Sequence, residues 1–158
     1  MSEPTPSTRL VDDSLFVGDE PALRGAACPA CATTTFPAQD SCPRCGATGM
    51  AEVPLPRRGS LWSFTVQSFE PKSPYRGIGE FEPYGVGYVD LGPVIVESRL
   101  TVHDPGALAI GQPFKLQLIP AFEDEDGTTV LTFAFAPATD APATDATASG
   151  RRDDEEPV

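Results

Sequence analysis

The chain reads as mainly β, a small four-cysteine metal ribbon followed by a five-stranded β-barrel. Three observations predict this. Two C-x-x-C pairs stand ten residues apart, five apolar segments with a period of two follow them, and no segment sustains a 3.6-residue period. Among 158 residues, 18 prolines and 14 glycines favour short strands joined by turns over long helices. Hydrophobic residues at 40% leave enough apolar surface for a core.

Residues 1–14 are polar and end in Asp12-Asp13-Ser14, a composition that predicts a flexible N-terminus or an arm that crosses a partner's surface. The ribbon is expected over residues 15–56. Leu15-Phe16-Val17 and Leu23 lead into Cys28-Pro29-Ala30-Cys31, and Cys42-Pro43-Arg44-Cys45-Gly46 completes it. Each C-x-x-C knuckle curls backbone N–H groups around its sulfurs, and two facing knuckles make a tetrahedral four-sulfur cage from Cys28, Cys31, Cys42 and Cys45. Such a site suits zinc ahead of iron, and a structural metal closes all four positions. Gly46 supplies a permissive backbone after the second knuckle, where the first has Ala32. A thioredoxin-like dithiol at Cys28 and Cys31 would need a βαβ context, and the pattern shows none. The N-terminus has neither a basic n-region nor an apolar h-region, so a cytoplasmic protein with metal-binding thiols is expected.

The barrel is expected over residues 57–136. Trp62, Phe64 and Val66 alternate with Ser63, Thr65 and Gln67. Val86 and Tyr88 alternate with glycines and Val89, which leaves one face of that strand with little bulk. Leu91-Gly92-Pro93 turns the chain into a strand ending at Leu100. Phe114, Leu116 and Leu118 alternate with Lys115 and Gln117, and Leu131, Phe133 and Phe135 with Thr132 and Ala134. The segment 104–110 has room for a turn or two of helix. Five strands with a short helical element after the third suit a Greek-key barrel of the OB type. Acidic Glu123-Asp124-Glu125-Asp126-Gly127 reads as the loop between the last two strands. Beyond it, Pro-Ala-Thr-Asp-Ala occurs twice and a charged end follows, so residues 137–158 are expected to form a disordered acidic tail.

A net charge of -12 and a pI near 4.3 argue against nucleic acid as a partner, because phosphate neutralisation dominates that affinity. The same balance disfavours anionic membranes, and no apolar run approaches the roughly 20 residues that span a bilayer. The single histidine, His103, precedes Asp104-Pro105 in a loop, and no phosphate loop, HExxH or EF-hand pattern occurs. With the cysteines committed to metal, the chain offers no thiol nucleophile, and no catalytic residue is assigned to it.

One stretch departs from the acidic average. Arg57, Arg58, Lys72 and Arg76 face only Glu70, with Trp62, Phe64, Phe69 and Tyr75 interleaved. Arg57, Arg58, Lys72, Tyr75 and Arg76 are therefore candidates to hold a phosphorylated, adenine-containing ligand such as a coenzyme A ester through charge-assisted bonds and stacking. They read equally as barrel-rim residues or as a dock for an acidic partner.

These segments together resemble the DUF35 family. The resemblance rests on the two knuckles with Phe36-Pro37 between them, on Arg58-Gly59-Ser60-Leu61-Trp62-Ser63-Phe64-Thr65-Val66, on Phe81-Glu82-Pro83-Tyr84-Gly85-Val86-Gly87-Tyr88-Val89-Asp90-Leu91, and on Ile110-Gly111-Gln112-Pro113, in the family's order. It implies a rubredoxin-like zinc ribbon joined to an acyl-CoA-associated OB-fold. It also implies the role of a small, non-catalytic subunit beside a thiolase- or aldolase-type catalytic subunit, which makes or breaks carbon–carbon bonds in acyl-CoA esters. The alternative from a different class is an OB-fold and zinc-ribbon nucleic-acid binder, which the architecture permits and the charge opposes.

Overall fold

The computed structural model describes residues 7–139. The first six residues of the expected flexible arm, and the expected acidic tail from residue 140 onward, lie outside them. The predicted order is observed: a ribbon of short strands, then a closed five-stranded barrel.

Strand β1 (Thr8–Leu10) comes first, followed by a 3₁₀ turn at Asp13–Leu15. The ribbon holds β2 (Phe16–Val17), β3 (Ala22–Ala27), β4 (Thr34–Thr35) and β5 (Ala51–Pro54). Its central strand is β3, which pairs antiparallel with each of the other three. The barrel is built from β6 (Arg58–Gln67), β7 (Tyr84–Asp90), β8 (Ile95–Leu100), β9 (Pro113–Glu123) and β10 (Thr129–Pro137). The meander β6-β7-β8 is antiparallel, β10 joins β8 in parallel and β9 antiparallel, and β9 returns to β6. Every barrel strand therefore has two neighbours. Closure leaves no whole strand at an edge, which is how a small all-β domain limits edge-to-edge association. The only helical element between β8 and β9 is a 3₁₀ turn at Pro105–Ala107, capped by the Asp104 carboxylate accepting from Gly106 N.

Two readings of the sequence differ from this picture. Thr8–Leu10, expected in a flexible arm, pairs in parallel with the start of β10, and Arg9 reaches the Asp124 carboxylate at 2.8 Å. On that side of β10, β8 pairs only with Ala134 and Phe135, so the start of the strand can accept β1, and polar side chains do not prevent backbone pairing. The second difference lies in β6. Trp62 was expected on the buried face with Phe64 and Val66, yet its side chain is 57% exposed and Leu61 is buried at 1%. A β-bulge between Leu61 and Ser63 shifts the register against β7. One extra residue reverses the alternation, so Leu61 and Phe64 both pack on the core and Trp62 is turned outward.

The core is continuous across both halves. Phe16, Leu23 and Leu55 from the ribbon side share one cluster with Leu61, Val89, Val96, Leu100, Phe114 and Phe135 of the barrel. Phe133 of β10 receives Phe16 and Phe36 edge-on, with ring centroids 6.3 and 5.6 Å away. The low-bulk face of β7 lies inside. A Cβ on Gly87 would stand 2.9 Å from Leu61 Cδ1 and 3.0 Å from Leu100 Cδ1. Gly59 is tighter still, with a Cβ placed 2.2 Å from the Asp90 carbonyl oxygen. Backbone cannot yield as a side-chain tip can. Gly59→Ala is therefore expected to lower the urea midpoint of the metal-loaded protein by the equivalent of about 3 kcal/mol, the upper end of overpacking costs. An unchanged midpoint would show that β6 and β7 are not this close.

Candidate metal centre and the cationic residues

The two knuckles adopt one backbone conformation. In the first, Cys28 O accepts from Ala32 N at 2.9 Å and Cys28 N donates to Thr33 O at 2.9 Å. In the second, Cys42 O accepts from Gly46 N at 2.9 Å and Cys42 N donates to Ala47 O at 2.8 Å. This turn needs a left-handed residue at its end, and Gly46 (φ 73°) and Ala32 (φ 58°) both provide it. Ala32 does so against the steric penalty of its Cβ.

The turns bring the four sulfurs within 4.8 Å of one another, with Cys28–Cys45 and Cys31–Cys42 separations of 3.6 Å. A tetrahedron with metal–sulfur bonds of about 2.3 Å has edges of about 3.8 Å, so the cage fits a structural zinc. Cys28 and Cys42 are buried and Cys45 is exposed, so one side of the cage meets solvent. The surrounding donors favour thiolates. The Thr33 hydroxyl and the Thr33 backbone N–H hold Cys31 down to about 6. The N–H groups of Cys45 and then Arg44 lower Cys42. For Cys45 the Ala47 N–H pulls downward, but the crowding sulfurs of Cys28 and Cys31 outweigh it and push the thiol up to about 12. Four thiolates this close cannot all ionise without a cation among them, and a divalent metal removes that conflict.

The structure separates the five residues expected to hold a ligand. Arg57 and Arg58 lie at the start of β6, whereas Lys72, Tyr75 and Arg76 lie in the loop that follows its end. Ten residues of strand place those ends about 30 Å apart. Arg57 Nη1 pairs with Glu20 Oε1 at 2.5 Å. Arg76 stacks its guanidinium over Phe122 at 4.4 Å and donates to Glu123 O at 2.9 Å, so it fastens the loop to β9. Lys72 is exposed, and Tyr75 is half-buried beside Gly77. His103 is exposed between β8 and the 3₁₀ turn. Two contacts escaped the sequence reading. Arg99 lies over the Tyr84 ring at 4.0 Å, and Lys115 stands directly opposite Arg58 across β6 and β9. The alternation of β9 marks Lys115 as outward-facing, but only strand pairing identifies its neighbour.

Two family models cover residues 17–118 without a gap. One describes the rubredoxin-like zinc ribbon domain of ChsH2 and matches residues 17–51; the other describes the ChsH2 C-terminal OB-fold domain and matches residues 52–118. The chain belongs to the ChsH2-type DUF35 family. Among curated relatives, it is 29% identical over 118 residues to benzoylsuccinyl-CoA thiolase subunit BbsA of Thauera aromatica, covering 75% of this chain and 78% of that one. Among solved structures, it resembles the Ltp2-ChsH2(DUF35) aldolase with a TM-score of 0.54 and 26% identity, covering 73% of this chain and 84% of the other. Homology to these proteins makes this DUF35 chain an accessory-subunit homologue of thiolase and aldolase complexes. Among the described residues no helix is long and apolar enough to cross a membrane.

Protein purified without chelator is expected to carry about one zinc per chain by elemental analysis. Cys42→Ser should release it and abolish the ribbon's fold, because metal binding supplies folding free energy directly. Four free thiols without metal in the wild type would contradict the cage. Ala32→Gly relieves the left-handed alanine and is expected to raise stability by about 1 kcal/mol in urea denaturation. A loss of stability there would mean that the first knuckle does not adopt this turn.

Proposed function

We propose that this chain is a non-catalytic accessory subunit of a thiolase-like complex acting on acyl-CoA esters by carbon–carbon bond cleavage or formation. It stabilises the catalytic subunit and helps to bind the CoA ester. The observation that carries the reading is an uncovered apolar surface on the barrel. Trp62, turned out by its bulge, meets Tyr88 edge-on with centroids 6.2 Å apart. Ile95, opposite Asp90 on β8, lies diagonal to Tyr88 on the same outer face, and Ile110 adjoins β6 through the Gly111 N to Leu61 O bond. All four are exposed, Ile110 at 64%. Clustered aromatic and aliphatic side chains on an outer surface mark an interaction site, and Trp and Tyr dominate the energetics of such sites.

The chemistry of the chain supports the same division of labour. Its four thiols converge on one cage, and its one imidazole lies elsewhere, exposed. Acyl-CoA carbon–carbon chemistry needs a nucleophile or base at the reacting carbon, which the partner would supply. The similarity to a subunit of benzoylsuccinyl-CoA thiolase and to the ChsH2 partner of an aldolase supports this reading. A nucleic-acid role would have to overcome a net charge of -12.

Co-expression with a thiolase-like protein tests the proposal. The two should copurify, and Trp62→Glu should weaken the pair by the equivalent of at least about 2 kcal/mol, as for an interface hot spot, while zinc content and urea midpoint stay at wild-type values. The isolated chain should not turn over acyl-CoA esters. Turnover by the single chain that His103→Ala abolishes would make it an enzyme in its own right, and unaltered copurification of Trp62→Glu would move the interface elsewhere.

A further inference from the structure

Three of the eleven Lys and Arg residues, in a chain of net charge -12, line one cleft of about 850 Å³ where the ribbon meets the barrel. Arg57, Arg58 and Lys115 supply the cations, Leu91 and Gln117 add to the wall, and Glu20 enters from the ribbon. The fold fixes each position. Leu116 N donates to Arg57 O at 2.7 Å, which anchors the end of the ribbon–barrel connection to β9. Lys115 projects between the buried Phe114 and Leu116, with Arg58 directly opposite on one side and the small Ala136 on the other. Directly opposed residues on one face of an antiparallel pair bring their Cβ atoms to about 5 Å, so both cations belong to one stretch of the cleft wall. Arg57 is held by Glu20, whose side chain is 84% exposed. Arg57 is itself only 35% exposed, so the exposed carboxylate is the partner that can swing away into water.

We propose that this cleft binds the phosphate groups of the acyl-CoA ester, with Arg57 and Lys115 as the clamp and Glu20 as an internal carboxylate that the ligand displaces. The identity of the ligand rests on the accessory-subunit reading, whereas the phosphate chemistry rests on the cleft alone. Guanidinium groups form paired bonds to phosphate oxygens, an ammonium adds a point charge, and the cleft is large enough for a diphosphate. The loop residues Lys72, Tyr75 and Arg76 lie beyond the far end of β6 and take no part.

The test titrates the zinc-loaded full chain, and its complex with the thiolase-like partner, with coenzyme A, with inorganic pyrophosphate, and with phosphate-free pantetheine. Coenzyme A and pyrophosphate should compete for one site while pantetheine does not bind there, and affinity should fall with salt. Arg57→Ala and Lys115→Ala should each weaken coenzyme A at least about tenfold, the effect of one charge-assisted contact. Glu20→Gln should tighten it, since no carboxylate then competes, a gain that a purely structural Arg57–Glu20 pair would not produce. Lys115 is exposed, so its variant reports on binding even if Arg57→Ala disturbs the junction. Coenzyme A affinity unaltered by Lys115→Ala and Glu20→Gln overturns the proposal and leaves the accessory reading intact. Lost copurification with unaltered coenzyme A affinity also overturns it, because the cleft then docks an acidic segment of the partner. If no thiolase-like partner copurifies, yet pyrophosphate binding responds to Lys115 and Glu20 as stated, the cleft stands and the accessory reading falls.

Discussion

Phe133 sits on the last barrel strand and takes the rings of Phe16 and Phe36 edge-on, and the arrangement of both halves follows from that contact. A ribbon of four short strands has too little apolar surface to stand alone, and a barrel of this size buries only a modest share of its own. Joined through Phe133, they share one core in which Phe16, Leu23 and Leu55 pack with Phe114 and Phe135. The metal cage then acts beyond its own knuckles. It fixes the turns that align β3, β4 and β5, and β3 presents Leu23 to the common core. Metal-ligand free energy in the ribbon is thereby coupled to the packing of the barrel.

Inside the barrel, volume is the governing limit. Glycines on β7 and at Gly59 of β6 let backbones approach where even a methyl group would collide. The bulge at Leu61–Ser63 answers a second requirement, since it lets β6 curve around the barrel while keeping Leu61 and Phe64 on the core side. Its by-product is Trp62, the chain's one tryptophan, left on the outer surface beside Tyr88. Closing the barrel and exposing an aromatic side chain are thus achieved by the same irregularity.

Charge is distributed with equal economy. Arg76 and Arg99 are absorbed by aromatic faces, over Phe122 and Tyr84 respectively, and brace the long loop and the barrel wall. Arg9 pins β1 to the acidic hairpin. Against that background, the cations at the start of β6 and on β9 stand out because β-pairing gathers them on one cleft.

The sequence by itself determined the ribbon, because metal geometry admits few spacings, and two C-x-x-C pairs announce the cage before any strand is placed. It also determined the number and order of barrel strands, since alternation of apolar residues is a local property. Its reading of β6 put Trp62 inside, as a bulge is a one-residue change of phase that appears only when β6 is laid against β7. It grouped Arg57, Arg58, Lys72, Tyr75 and Arg76 by proximity along the chain, and an extended strand of ten residues carried the two sets to opposite ends. Lys115, more than fifty residues downstream of Arg58, became its neighbour through the β6–β9 ladder alone. The cage was legible because its ligands lie close in sequence and obey a fixed coordination geometry. The cleft was decided only by tertiary structure, because its cations come from segments whose distance along the chain carries no information about which strands pair.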